Sequence, residues 1–115
     1  MRTASEADPV SLDELRQMAQ ARFGDMVKAV VDLRRGVMRL DADLHADQEA
    51  ELLAEGSAQQ DLWGINLYPE LPEADWLEFD SMINLRPSVG NRSRGVDDPG
   101  AREGIVRLVQ RLVRR

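Results

Sequence analysis

Val27-Lys-Ala-Val-Val-Asp-Leu-Arg-Arg-Gly-Val-Met-Arg-Leu40 alternates in character: Val27, Ala29, Val31 and Leu33 fall on one side, with Lys28, Asp32 and Arg34 between them. A period of two marks a strand. Arg34-Arg35-Gly36 supplies turn chemistry and Val37–Leu40 a returning strand, so the stretch reads as a β-hairpin. Upstream, Ser11-Leu-Asp-Glu14 has the spacing of a helix capping box. Leu12, Leu15, Met18 and Ala19 then recur at helical intervals, and Gly24 fits the position just past the helix end.

Downstream, His45–Glu55 is rich in strong helix formers, with Leu44, Leu52 and Leu53 as its expected buried stripe and Gly56 as its stop. Asp61–Tyr68 reads as a strand with Trp63, Ile65 and Leu67 inward, and Trp76–Arg86 as its partner across the loop Pro69–Asp75. Trp63 is expected in the core and Trp76 as an exposed contact, while Gly64 in mid-strand signals a bulge or a close backbone approach. Asp98-Pro99 opens a last helix with Ile105, Leu108, Val109 and Leu112 as its apolar stripe. The order α-β-β-α-β-β-α predicts an α+β fold: a mainly antiparallel four-stranded sheet with helices packed on one face. Residues 1–10 are expected as a disordered lead-in, and residues 11–115 as one domain, the length being that of a single core.

Composition narrows the chemistry. The chain has no cysteine, which excludes disulfides, thiolate metal sites and thiol nucleophiles. No apolar run suits a signal peptide or a membrane span, so the expected location is the cytoplasm. Net charge is −6, but residues 1–85 carry 7 basic and 18 acidic side chains while residues 86–115 carry 8 basic and 3 acidic. The acidic body disfavours non-specific nucleic-acid binding, and the basic quarter suits a local anion or an acidic partner. Among the basic residues only Lys28 is a lysine.

If one sheet face is bare, the alternation places Asn66, Tyr68, Asp80, Asn84 and Arg86 on it, and asparagine is depleted in strands. The aperiodic segment that follows holds Asn91, Arg92, Ser93 and Arg94 between Gly90 and Gly95. Arginine forks and glycine-exposed amides suit carboxylate or phosphate oxygens. The expected ligand-binding set is therefore Asn66, Asn84, Arg86, Asn91, Arg92, Ser93 and Arg94, in a small binding module for an anionic ligand or an acidic protein. Asp97 and Asp98 oppose an anion at the adjoining helix start, and an ordered loop whose arginines pair with the protein's own acids is the competing reading.

Asp41-x-Asp43-x-His45-x-Asp47 is the one stretch with the look of a metal or acid–base cluster. It supports an alternative, a small metal-assisted enzyme using His45 and nearby carboxylates, which requires His45 within reach of Asp41, Asp43 or Asp80 in a cleft. A lone histidine cannot build a multi-histidine site, and Asp43 or His45 also suits a helix cap, so no metal or other cofactor is assigned. A further alternative is a homodimer through the bare face, with Leu62, Met82 and Trp76 as contacts.

The runs Leu44-His-Ala-Asp47, Glu55-Gly-Ser57, Trp63-Gly-Ile-Asn-Leu-Tyr-Pro69 and Ile83-Asn-Leu-Arg-Pro-Ser-Val-Gly-Asn-Arg-Ser-Arg94 resemble a family of short prokaryotic proteins classed as a domain of unknown function. The resemblance covers residues 11–114 and implies a stand-alone prokaryotic domain, with no activity or site residue to transfer.

Overall fold

The computed structural model describes residues 1–115. The hairpin forms as its alternation requires: β3 (Val27–Asp32) pairs antiparallel with β4 (Val37–Leu40) from Ala29↔Leu40 to Asp32↔Val37. Its turn is held by Asp32, whose Oδ1 accepts from the Arg34 and Arg35 amides at 2.9 Å each. Ahead of it, β1 (Arg2–Ala4) and β2 (Val10–Ser11) precede α1 (Leu12–Arg22). Beyond it come α2 (His45–Ala54), β5 (Leu62–Leu67), β6 (Leu77–Glu78), α3 (Pro99–Leu112) and β7 (Val113–Arg114). The fold is α+β, with a five-stranded antiparallel sheet in the order β1-β4-β3-β5-β6 and a small parallel pair β2-β7. No helix is long and apolar enough to cross a membrane.

The sheet has five strands instead of the expected four because the supposed lead-in is folded. Arg2–Ala4 adds to the free edge of β4, and Val10–Ser11 pairs with β7. Ala4 and Val10 are fully buried, and Arg2 gathers the polar remainder by bonding Asp8, Glu14 and the Thr3 and Pro9 carbonyls. Ser11 caps α1 by accepting from Glu14 N–H at 3.0 Å, but the Glu14 carboxylate takes Arg2.

Helices cover both sheet faces, which corrects the one-sided arrangement. Val27, Ala29, Val31, Met38, Leu40, Ile65 and Leu67 join Leu15 of α1 and Ile105, Leu108 and Leu112 of α3 in the main core. On the opposite side Val30 and Leu62 pack against Leu52 of α2, and Arg39 reaches up to Glu51 of the same helix and to Glu55 just past its end. Unbroken Ala29-Val30-Val31 is the signature of a strand buried on two faces. The inward stripe of α2 is His45, Gln48 and Leu52, spaced i, i+3, i+7, while Leu44 and Leu53 are exposed. Gln48 donates to the Lys28 carbonyl, one residue beyond the last β3–β4 pair, at 2.8 Å.

The expected partner strand Trp76–Arg86 shrinks to the two residues of β6. Ser81 breaks it by accepting from the Ile83 amide and starting a 3-10 turn at Met82–Asn84. The turn lies directly on Gly64, where a Cβ would sit 2.5 Å from that of Ser81, so the close approach read from the glycine is present. Trp76, expected to be exposed, is 3% accessible and belongs to the core. Trp63 is half-buried and packs against that core. With Leu62 and Trp76 buried, only Met82 of the three expected dimer contacts faces solvent.

Gly64→Ala is expected to overpack the Ser81 turn and lower stability by about 1–3 kcal/mol, the range for inserted methyl groups in a packed interior. Chemical denaturation checks this; an unchanged midpoint would show that the turn yields freely.

Candidate functional site

The basic loop closes on itself. Arg86 N–H donates to the Asn91 carbonyl at 2.9 Å and Asn91 N–H to that of Arg86 at 3.1 Å. Between them Pro87–Val89 forms a 3-10 turn, ended by Gly90 at φ +92°. Asn91 is buried, its Nδ2 within 2.7 to 3.1 Å of the Asn84, Ser93 and Gly95 carbonyls and its Oδ1 accepting from the Asp97 amide. Asn84 is also buried. Its Oδ1 accepts from Gly64 N–H at 2.8 Å, and its Nδ2 donates to the carbonyls of Gly64 and Arg94 at 2.9 and 3.0 Å. The Arg86 guanidinium lies 4.4 Å over the Trp63 ring and donates to the Gln59 and Leu62 carbonyls at 2.6 Å each.

The rest of the loop is similarly engaged. Ser93 donates to Asp97 at 2.5 Å and the Arg92 amide donates to the same carboxylate at 2.8 Å. These bonds, the serine's foremost, hold the Asp97 carboxyl below its ordinary pKa. Asp98 accepts from Ala101 N–H and so occupies the start of α3. Arg94 bonds Asp80 at 2.7 Å. The Arg92 guanidinium alone has no protein partner. A depression of about 510 Å³ lies beside Arg86 and Asn91, but Asp97 and Asp98 line it too. Thus Asn84, Arg86, Asn91 and Ser93 are brought together as internal supports of the loop, with no cationic pocket between them.

Asn66 goes elsewhere, to a cleft of about 420 Å³ between the N-terminal end of α2 and the β5–β6 edge. Strand register builds its floor: Lys28 pairs with Asn66 and Asn66 with Glu78, placing the three in one row across β3, β5 and β6. Same-face neighbours on adjacent strands are about 5 Å apart, so the row spans about 10 Å from ammonium to carboxylate strand. Asn66 Nδ2 donates to Glu78 Oε1 at 2.9 Å and to the Asp80 carbonyl at 3.2 Å, while its own Oδ1 is buried without a partner. Tyr68 also donates to Glu78 Oε1, at 3.0 Å. Burial first and Glu78 second raise the phenol's pKa, so it keeps its proton.

His45 closes one wall. Its Nε2 lies 2.8 Å from the Ile65 carbonyl, and a carbonyl only accepts, so Nε2 carries the hydrogen and the other ring nitrogen is free to accept. Burial lowers its pKa from the ordinary 6.5; the Ile65 bond opposes this, Lys28 adds to it, and Asp80 and Asn66 oppose it more weakly. The imidazole is therefore neutral near pH 7. Of the carboxylates expected near it, Asp80 lines the same cleft, whereas Asp41 and Asp43 turn away to hold Arg22 at 2.8 and 2.7 Å. Asp41 itself takes a left-handed φ of +67°, which breaks the alternation a shared metal side would need. No three histidine, aspartate or glutamate side chains lie close enough together to hold a metal ion.

Lys28 and the row it starts were missing from the expected site. Alternation shows which residues share a face within a hairpin, but not that β3 lies beside β5.

The chain belongs to the family described as Protein of unknown function (DUF5674), whose model it matches over residues 6–112. No curated protein and no solved structure matches it.

Two outcomes follow from this geometry. Asn84→Ala strands one amide and two carbonyls, and Asn84→Asp turns a donor into an acceptor facing those carbonyls. At about 1–3 kcal/mol per stranded buried group, each is expected to cost about 3 kcal/mol or more in denaturation experiments. For His45 the folded pKa lies below the unfolded one, so its contribution is complete above about pH 6.5 and is lost as pH falls through the folded value. The thermal midpoint of the wild type is expected to fall more steeply between pH 7 and pH 5 than that of His45→Gln.

Proposed function

We propose that the protein, as a member of this family, is a small binding module whose ligand occupies the cleft beside His45, with the Arg86–Asn91 loop as its structural support. One observation carries the reading: Asn66, only 5% accessible, lines the cleft and leaves its Oδ1 without a hydrogen-bond partner. A buried polar atom left unpaired costs about 1–3 kcal/mol, and of the five such atoms in the chain Asn66 Oδ1 is the one that belongs to a residue lining this cleft, where a bound molecule can complete it. The cleft also has the volume expected of a small-ligand site, with apolar Met26 and Leu44 beside its polar groups. This moves the expected site from the loop to the sheet face, with Asn66 and Arg94 the members of the expected set that line it.

A second reading has its own support. A neutral histidine oriented by a backbone carbonyl, with its second nitrogen free, is the arrangement of a general base. It needs no metal, and it would act on the ligand held in the same cleft.

The test is a fragment screen by two-dimensional NMR on the ¹⁵N-labelled chain. Hits are expected to shift Lys28, His45 and Asn66. Ala46→Trp sets an indole at the cleft wall without removing a hydrogen bond, and is expected to abolish them, while Arg92→Ala leaves them unchanged. Hits that survive Ala46→Trp and disappear with Arg92→Ala would return the site to the loop.

A further inference from the structure

We propose that the cleft takes a small ligand bearing a primary ammonium group, seated against Glu78 and Asp80. The proposal rests on the cleft being the binding site and adds the chemical class of its occupant. It follows from which hydrogen-bonding groups are already used. Asn66 Nδ2 is committed to Glu78 and the Asp80 carbonyl, Tyr68 Oη to Glu78, Arg94 Nε to Asp80, and His45 Nε2 to Ile65. Lys28, the remaining cation, rests over the Phe23 ring with its Nζ 5.3 Å from the centroid. The charge of Arg94 is balanced by Asp80, and the free ammonium of Lys28 stands on β3, at the far end of the row from Glu78.

The acceptors are not all used. Glu78 uses Oε1 twice and Oε2 not at all, Asp80 uses Oδ1 for Arg94 and leaves Oδ2, and Asn66 Oδ1 has no partner. The neutral His45 ring adds an acceptor nitrogen. An anion entering at the β6 end of the cleft meets the free oxygens of Glu78, Asp80 and Asn66. An ammonium group instead brings three N–H donors to the unused oxygens of Glu78, Asp80 and Asn66, and a positive charge to Glu78, which has no cationic partner, whereas Asp80 already has Arg94. The row Lys28–Asn66–Glu78 gives the cleft a polarity: the ammonium lies toward β6, and any acidic group on the same ligand lies toward Lys28. This reverses the anionic preference expected from the arginine-rich loop.

Ethanolammonium and choline share a skeleton and a charge, but only ethanolammonium has N–H donors. Each, and acetate, is titrated at matched ionic strength into the full ¹⁵N-labelled chain. Ethanolammonium is expected to give saturable shifts in the Asn66 side-chain amide and the Glu78–Ser81 backbone amides. Choline is expected to bind at least tenfold more weakly and acetate not to bind there. Glu78→Gln, at an exposed residue, is expected to weaken ethanolammonium at least tenfold; Asp80→Asn is the companion variant if Glu78→Gln does not fold. Equal binding of choline, tighter binding of acetate, or no saturable response to ethanolammonium overturns the ammonium class. In any of these cases, fragment hits that Ala46→Trp abolishes leave the cleft standing as the site, and their absence removes both.

Discussion

The side-chain amide of Asn84 does the work of a missing strand. Toward its C-terminal end, the outer edge of β5 meets backbone: Asn66 pairs with Glu78, and the Tyr68 amide donates to the Trp76 carbonyl. Past β6 the chain leaves the sheet, and both backbone groups of Gly64 would be buried and unpaired. Asn84 presents one acceptor and one donor at peptide spacing and satisfies both. One register step further, the Arg86 guanidinium reaches the Leu62 carbonyl. The substitution is possible because Gly64 has no side chain, so the Ser81 turn can lie directly on the strand. Asn91 then fixes Asn84 by bonding its carbonyl. Asparagine, glycine and arginine in a segment that looked like a binding loop are therefore the means by which a sheet edge is closed without a strand.

That closure also makes the cleft. Had Trp76–Arg86 run on as a strand, its alternate side chains would have continued the sheet surface past Glu78. Because it turns away at Ser81, Asp80 and Arg94 rise at the side of the Lys28–Asn66–Glu78 row, and α2 supplies the facing wall. The helix packs there with a stripe that is polar at one end and apolar at the other. Leu52 seals against Val30 and Leu62, whereas His45 and Gln48 reach backbone carbonyls through single hydrogen bonds. The sheet is thus dry under one end of α2 and open beside the other.

Much of this was legible in the residues. The β3–β4 hairpin, the three helices, the Ser11 and Asp98 caps and the close approach at Gly64 all follow from local patterns, and local patterns are what a sequence displays directly. The remainder depended on partners distant in the chain. Arg2–Ala4 looks unstructured because three residues carry no period, and only the edge of β4 makes them a strand. Trp76–Arg86 has strand-like alternation, but Ser81 and the side chain of Asn84 offered the backbone a competing set of hydrogen bonds, and burial on Gly64 favoured that set. Val30, apolar between two core-facing neighbours, is the residue in the strand that marks a sheet covered on both faces. The proposed site differs from the expected one for the same reason: Asn84, Arg86 and Asn91 have side chains suited to ligands, but they bond the chain's own backbone, Arg86 Nε alone staying unpaired, whereas Asn66 keeps its unpaired oxygen at the cleft.

The chain's basic residues are arginines with one exception, and that exception, Lys28, lies in the cleft. Guanidinium groups do not acylate under conditions that modify an ε-amine. The protein therefore carries a single side-chain amine, and it stands at one end of the row that forms the cleft floor. An acyl group added to lysine can land nowhere else on this molecule, and there it would erase the positive end of the cleft's polarity in one step.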